Sequence, residues 1–256
     1  VQDLSIHYQI EGKGDPIIIL HGMGNNSQSW KKQLAGLSEN HTVIAWDAPG
    51  YGKSSDPKEE ITEFSQFADI LKGFIEGLNY NSVTLLGHSM GSAIALDYCY
   101  RFPEMVDRLI ISDATRGSAA LSVEENQKKL AARLNNIHTL DPKEIANQRV
   151  KELLSPNPDP EVKKEAERIM SQVRPMGYRS VAYCLFHLDQ MNILPSITTQ
   201  TLVICGELDK VTPVSESEIF HNQLKNSELV IIPGTGHLCY QEDPSYFNKI
   251  VLDFLK

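Results

Sequence analysis

A chain of 256 residues suits one large domain, or one domain carrying a sizeable insertion, and is far longer than a miniprotein held together by staples. With 41% hydrophobic and 22% charged residues it can build a core and is not disordered by composition. A formal net charge of −9 speaks against nucleic acid as a partner and against polybasic docking on a membrane. Residues 4–11 (LSIHYQIE) alternate at period two and read as a strand. Residues 16–21 (PIIILH) form a continuous β-branched run, the pattern of a strand covered on both faces. A helical stretch at 28–37 follows, then a strand at 42–47 (TVIAWD) and an amphipathic helix at 64–78. A strand at 82–87 (SVTLLG), a helix at 90–102 and a strand at 106–113 (VDRLIISD) continue the rhythm.

The rhythm then breaks. Residues 114–194 contain no convincing strand, and helical stretches stand at 123–137, 142–154, 160–173 and 175–191. Pro142, Pro156, Pro158, Pro160 and Pro175 punctuate them. Strands resume at 200–206 (QTLVICG) and 227–233 (SELVIIP), with a last helix at 243–255. Strands alternating with helices imply a mostly parallel sheet flanked by helices, an α/β architecture. The expected organisation is a core of residues 1–113 and 195–256, interrupted by a helical insertion at 114–194. The insertion carries 12 Lys/Arg and 10 Asp/Glu, whereas the remainder carries 12 and 23. This weakly supports a distinct unit and raises the question of an anionic substrate beneath it.

The chemistry gathers at Gly87-His88-Ser89-Met90-Gly91, between a buried strand and a helix. This is G-x-S-x-G in a strand–turn–helix context, where Ser89 becomes a candidate nucleophile above the carboxyl end of the sheet. A serine hydroxyl needs a base. Of eight histidines, His237 in Gly234-Thr235-Gly236-His237 follows a buried strand and falls on the same rim. The base needs an orienting acid. Asp209, after the strand at 200–206, is the first candidate, and Asp113, at another strand end, is its rival. The oxyanion donors are assigned to the main-chain N–H groups of Met90 and Met23. His88 is read as packing behind Ser89 and His21 as tying down its loop. His187 is a candidate substrate contact, and Met176, Tyr178, Tyr183, Phe186 and Leu188 are candidates for an apolar pocket wall.

Taken together, HGMG at 21–24, DAPGYGKS at 47–54, GHSMG at 87–91, GELDKVTP at 206–213 and GTGH at 234–237 resemble the α/β-hydrolase family across the whole chain. The resemblance implies an eight-stranded sheet with a helical cap inserted after the sixth strand. It also implies that the loop from Asp47 to Ser54 is structural, and that hydrolysis proceeds through an acyl-enzyme with no metal and no organic cofactor. Carboxylesterases and enol-lactone hydrolases are the closer resemblance. Carbon–carbon bond hydrolases of ring-cleavage products are more distant, because they carry a longer oxyanion loop than His21-Gly22-Met23-Gly24. A serine at position 89 argues against epoxide opening and halide displacement, which use Asp there.

The expected function is therefore cleavage of a small carboxylic ester or lactone by Ser89, His237 and Asp209. The alternatives are carbon–carbon bond hydrolysis and a small-molecule receptor on the same fold. The expected partner is a small molecule, met by a monomer or homodimer. Cys99, Cys184, Cys205 and Cys239 form no C-x-x-C pair, which leaves reduced thiols as the plain reading. No signal peptide or lipidation motif is visible, so the expected location is cytoplasmic.

Overall fold

The computed structural model describes residues 3–256; Val1 and Gln2, counted above with the core, lie outside the described residues. Strands β1 (Tyr8–Glu11), β2 (Asp15–Leu20), β3 (His41–Trp46), β4 (Val83–His88), β5 (Val106–Ser112), β6 (Thr201–Gly206) and β7 (Ser227–Ile232) form one sheet. Its order is β1-β3-β2-β4-β5-β6-β7. Strand β1 runs antiparallel to β3, and every other pairing is parallel.

Side chains leave alternate faces of a strand, and the core divides accordingly. Ile18, Leu20, Ile44, Trp46, Leu85 and Ile111 point to one side, where α2 (Phe64–Gly77) and α3 (Met90–Arg101) pack. Ile17, Ile19, Val43, Leu86, Ile110 and Ile204 point to the other, against α1 (Lys31–Leu37) and, near the chain end, α10 (Pro244–Phe254). Both faces of the central strands are buried, which is why β2, β4 and β6 read as continuous apolar runs.

Four helices stand between β5 and β6: α4 (Val123–Thr139), α5 (Pro142–Leu153), α6 (Pro160–Met170) and α7 (Pro175–His187). Their starts are written locally. Ser122 and Asp141 close capping boxes with Glu125 and Glu144, Asp159 caps α6, and proline opens α5, α6 and α7. The helices rest on loops at the carboxyl ends of the strands. Arg174 donates to the carbonyls of Gly52 and Ser54 at 2.6 Å each. The Cα of Gly177 packs so close to Gly50 that a Cβ on Gly177 would stand 2.4 Å from the Gly50 carbonyl oxygen.

Three expectations need correction. The sheet has seven strands among the described residues, so the implied eighth is missing and the helical insertion follows the fifth strand. Only residues 12–14 separate β1 from β2, which leaves no length for another strand. The first strand is also shorter than residues 4–11. Its early part pairs with a loop instead: Ser55 N–H donates to the Ser5 carbonyl at 2.9 Å, and His7 N–H to Ser54 Oγ at 2.9 Å. Third, α8 (Val214–Gln223) was not anticipated, because only Ser217 and Phe220 are buried in it and no apolar stripe announces it. A four-residue turn of helix, α9 (Cys239–Glu242), completes the set. No described helix is long and apolar enough to cross a membrane.

The last helix is held by rings. Trp30 stacks on Tyr240 with centroids 3.8 Å apart, and fully buried Phe247 of α10 packs against both. Phe247→Ala is expected to lower unfolding stability by about 3–5 kcal/mol, read by urea denaturation.

Candidate active site

Strand β4 turns into α3 at Ser89, whose backbone sits at φ 52° and ψ −113°. A side chain on the neighbouring glycines would prevent this. A Cβ on Gly87 would stand 2.3 Å from the carbonyl oxygen of Gly91, and one on Gly91 would stand 2.1 Å from that of Leu20 in β2. Ser89 N–H donates to the Ser112 carbonyl at 2.9 Å, and Ser92 Oγ to the Gly87 carbonyl at 2.8 Å, which ties the turn to β5 and to itself. Met90 is the first residue of α3, so its N–H has no acceptor within the helix. Met23 lies in the loop after β2, where Asn25 N–H closes a turn onto the Gly22 carbonyl at 3.1 Å. His21 fixes that loop: its Nδ1 donates to the Gly22 carbonyl at 2.9 Å and its Nε2 accepts from Ala48 N–H at 3.0 Å.

His237 follows β7, and its Nδ1 donates to Asp209 Oδ2 at 2.7 Å. Both side chains are buried. With Nδ1 committed, Nε2 is the ring's remaining acceptor. Asp209 is saturated. Its Oδ1 accepts the N–H groups of Val211 at 2.7 Å and Thr212 at 3.1 Å, and its Oδ2 accepts the Thr212 hydroxyl at 2.7 Å. Burial alone would raise its pKa. The hydrogen bonds and charge of His237, with the donors of Thr212, overcome that and hold it low.

Asp113, the rival acid, is fully buried at φ 48° beside this pair. Its carboxyl group turns away, accepting Gly206 N–H at 2.9 Å, Ser112 Oγ at 2.6 Å and Cys239 Sγ at 3.1 Å. Burial pushes its pKa up, and the Asp209 charge adds to the rise against the pull of His237. The carboxylate bonded to His237 is thus that of Asp209. Asp113, Asp209 and His237 bring potential ligand atoms within 4.8 Å of one another, but the carboxylate oxygens are already engaged by protein donors.

His88 packs under the turn. Its Nε2 donates to the His237 carbonyl at 2.8 Å, and its ring centroid is 4.8 Å from that of His237. Its Nδ1 faces Gly22 and has no hydrogen-bond partner among the described residues. Burial and the neighbouring His237 lower its pKa from the usual 6.5 to about 3.

Ser89, His237 and Met23 line a cavity of about 710 Å³ between the strand ends and the helical insertion. Of the expected apolar wall residues, Tyr178 lines it, while Met176, Tyr183, Phe186 and Leu188 do not. His187 is also elsewhere, with Nδ1 3.1 Å from the Thr62 carbonyl. Two residues of consequence had no role in the sequence reading. Thr212 holds Asp209, and the D-x-x-T spacing of a side chain returning to a local acceptor was the available signal. Glu242 binds Gly236 N–H at 2.8 Å and Ser155 N–H at 3.1 Å, joining the His237 loop to the end of α5. That contact is long-range, and nothing local announces it.

The sequence profile of the alpha/beta hydrolase fold family matches residues 15–244. The chain belongs to that family. It is 29% identical over 263 residues to a 2-hydroxy-6-oxo-6-(2'-aminophenyl)hexa-2,4-dienoic acid hydrolase of Metapseudomonas resinovorans, covering 97% of this chain and 86% of that one. It is 26% identical over 260 residues to a 3-oxoadipate enol-lactonase of Acinetobacter baylyi, covering 100% and 94%. Among solved structures, an esterase of Thermogutta terrifontis superposes with a TM-score of 0.91 at 24% identity, covering 98% of this chain and 93% of that one.

The buried neutral imidazole of His88 sets a pH dependence. Its folded-state pKa lies below the unfolded value, so between about pH 6.5 and 3 the unfolded chain binds a proton that the folded chain refuses. Stability from this group is present above pH 6.5 and is lost as pH falls. His88→Gln, which keeps an N–H donor for the His237 carbonyl, is expected to flatten the slope of unfolding free energy between pH 6 and 4. The expected change is about 1.4 kcal/mol per pH unit, read by urea denaturation at stepped pH.

Proposed function

We propose that the protein is a serine hydrolase that cleaves a small carboxylic ester or lactone through an acyl-enzyme. The observation that carries this reading is that His237, bonded to Asp209 at 2.7 Å, lines the same cavity as Ser89, which stands on a turn shaped for a nucleophile. Ser89 Oγ attacks the carbonyl carbon while His237 Nε2 takes its proton. The oxygen becomes an oxyanion, held by the N–H groups of Met23 and Met90, with the positive end of α3 behind it. Collapse breaks the bond to the alkoxide, or to the ring oxygen of a lactone, and His237 returns the proton to that oxygen. Water, deprotonated by His237, then attacks the acyl carbon; the bond from the acyl carbon to Ser89 Oγ breaks, and His237 returns the proton to that oxygen. Asp209 stabilises the imidazolium in both halves. Every proton and electron pair in this scheme is supplied by these residues and water, so it calls for no metal and no organic cofactor.

The helices of residues 114–194 act in this scheme as a cap that closes the cavity and sets substrate choice, over a core of residues 1–113 and 195–256. The enol-lactonase from Acinetobacter baylyi, similar over the whole chain, supports ester or lactone chemistry. The Metapseudomonas resinovorans hydrolase supports a second reading, carbon–carbon cleavage by the same residues, and ring-cleavage products are the substrates to assay beside esters.

Steady-state hydrolysis of p-nitrophenyl esters of increasing acyl length tests the proposal. Turnover is expected in the wild type, and Ser89→Ala is expected to lower kcat by about four to six orders of magnitude. Near-wild-type hydrolysis by Ser89→Ala would overturn it.

A further inference from the structure

The wall of the cavity formed by the insertion is cationic. Along α4, Asn126, Lys129, Arg133 and Asn136 recur at three- and four-residue spacing, and all four line the cavity. Arg149 and Lys151 of α5, and Lys210 from the loop after β6, line it too. Two carboxylates face them, and both are engaged. Glu216 accepts both ends of the Arg116 guanidinium at 2.7 Å each, and Glu152 pairs with Arg149. That leaves Arg133. Among the described residues, no hydrogen bond or ion pair to its guanidinium is found, although the side chain is half-buried.

A half-buried charge without a partner is costly, and proteins ordinarily pair it. Burial and the like charge of Arg149 both press the Arg133 pKa down, yet a guanidinium stays protonated across the working range. The phenol of Tyr178 nearby brings no counter-charge of its own. In a chain of net charge −9, an uncompensated cation in the cavity of the candidate nucleophile is specific and not a reflection of composition.

We propose that Arg133 is a substrate-binding residue that receives a carboxylate carried by the substrate away from the scissile carbonyl. This rests on the ester or lactone reading above. The substrate class becomes a half-ester of a dicarboxylic acid, or a lactone bearing a carboxylate, and the product is a dicarboxylate. The planar guanidinium fork matches both oxygens of a carboxylate at once. A neutral ester would displace water from Arg133 and give nothing back, so the site discriminates by the pairing it leaves unmade. Exposed Lys129, Lys151 and Lys210 at the rim would draw such an anion in.

Two esters of equal acyl length separate the possibilities: ethyl hydrogen glutarate, which is anionic, and ethyl pentanoate, which is neutral. Acid release is followed at constant pH. Wild-type kcat/KM is expected to favour the glutarate ester at least tenfold. Arg133→Gln is expected to reduce that ratio at least tenfold, chiefly through KM for the anionic ester, with Arg133→Lys in between. General damage to the fold would slow both esters and leave the ratio unchanged. A wild-type ratio near one, or a ratio unchanged in Arg133→Gln, overturns the proposal while the hydrolase reading stands. If the wild type cleaves neither ester, the open-chain ester reading fails, and glutarate binding by titration calorimetry decides Arg133 by itself. Binding weakened tenfold or more in Arg133→Gln upholds the carboxylate site, and no difference, or no binding to the wild type, overturns it.

Discussion

The approach of α3 to β2 is the constraint on which the rest of the centre depends. With no side chain at Gly91, the first turn of the helix comes against the Leu20 carbonyl, and with none at Gly87 the strand folds back beneath it. Only then does the backbone reach the left-handed conformation that lifts Ser89 off the sheet. Strain of this kind is typically ~1–3 kcal/mol. It is offset by burial of Ala93, Ile94 and Leu96 along α3 and by the bond from Ser89 N–H to Ser112. The same packing delivers the N–H of Met90 and brings the ends of β4 and β5 level, so Asp113 lands close to the His237–Asp209 pair.

Two identical acids in one buried place behave differently because their donors differ. Asp209 collects two backbone N–H groups, one hydroxyl and an imidazole N–H, and this set stabilises its charge against burial. Asp113 collects one backbone N–H, one hydroxyl and a weak thiol donor, and burial wins. Two like charges side by side would oppose each other, and the uneven donor sets resolve the conflict. His237 therefore meets one strong negative partner on its Nδ1 side. Its other neighbour in this layer, His88, adds a hydrogen bond to its carbonyl and remains neutral.

Much of this was legible because glycine and proline mark the boundaries. Ser89, His237 and Asp209 stand after runs such as SVTLLG and QTLVICG, and a loop after a buried parallel strand has few places to go. The starts of α4 to α7 were written in Ser122, Asp141 and their prolines. Helix α8 was not legible, since its partners are the strands and not its own stripe. The choice between Asp113 and Asp209 turned on which carboxylate faces the imidazole, a matter of side-chain direction that strand ends alone do not specify. The cavity wall was misread for a related reason. Apolar residues at and just beyond α7 suggested a lining, but of that helix only Tyr178 and Leu185 reach the cavity, and Asn126, Lys129, Arg133 and Asn136 of α4 supply much of the wall.

Glu242 carries a consequence for how such proteins can diverge. One carboxylate grips the backbone of Gly236 and the backbone of Ser155, and Leu238 N–H reaches the Leu153 carbonyl at 3.2 Å. The loop bearing His237 is thus stitched to the end of α5 at main-chain atoms, and Glu242 apart, the tie is indifferent to most side-chain changes on either side. The helices between β5 and β6 are therefore not a module that can be exchanged whole: a chimera that replaces them must reproduce the path of residues 153–155 or loosen the loop that carries the imidazole. Variation in specificity has freer ground in α4, where side chains face the cavity and, among the described residues, no backbone bond joins the helix to the His237 loop.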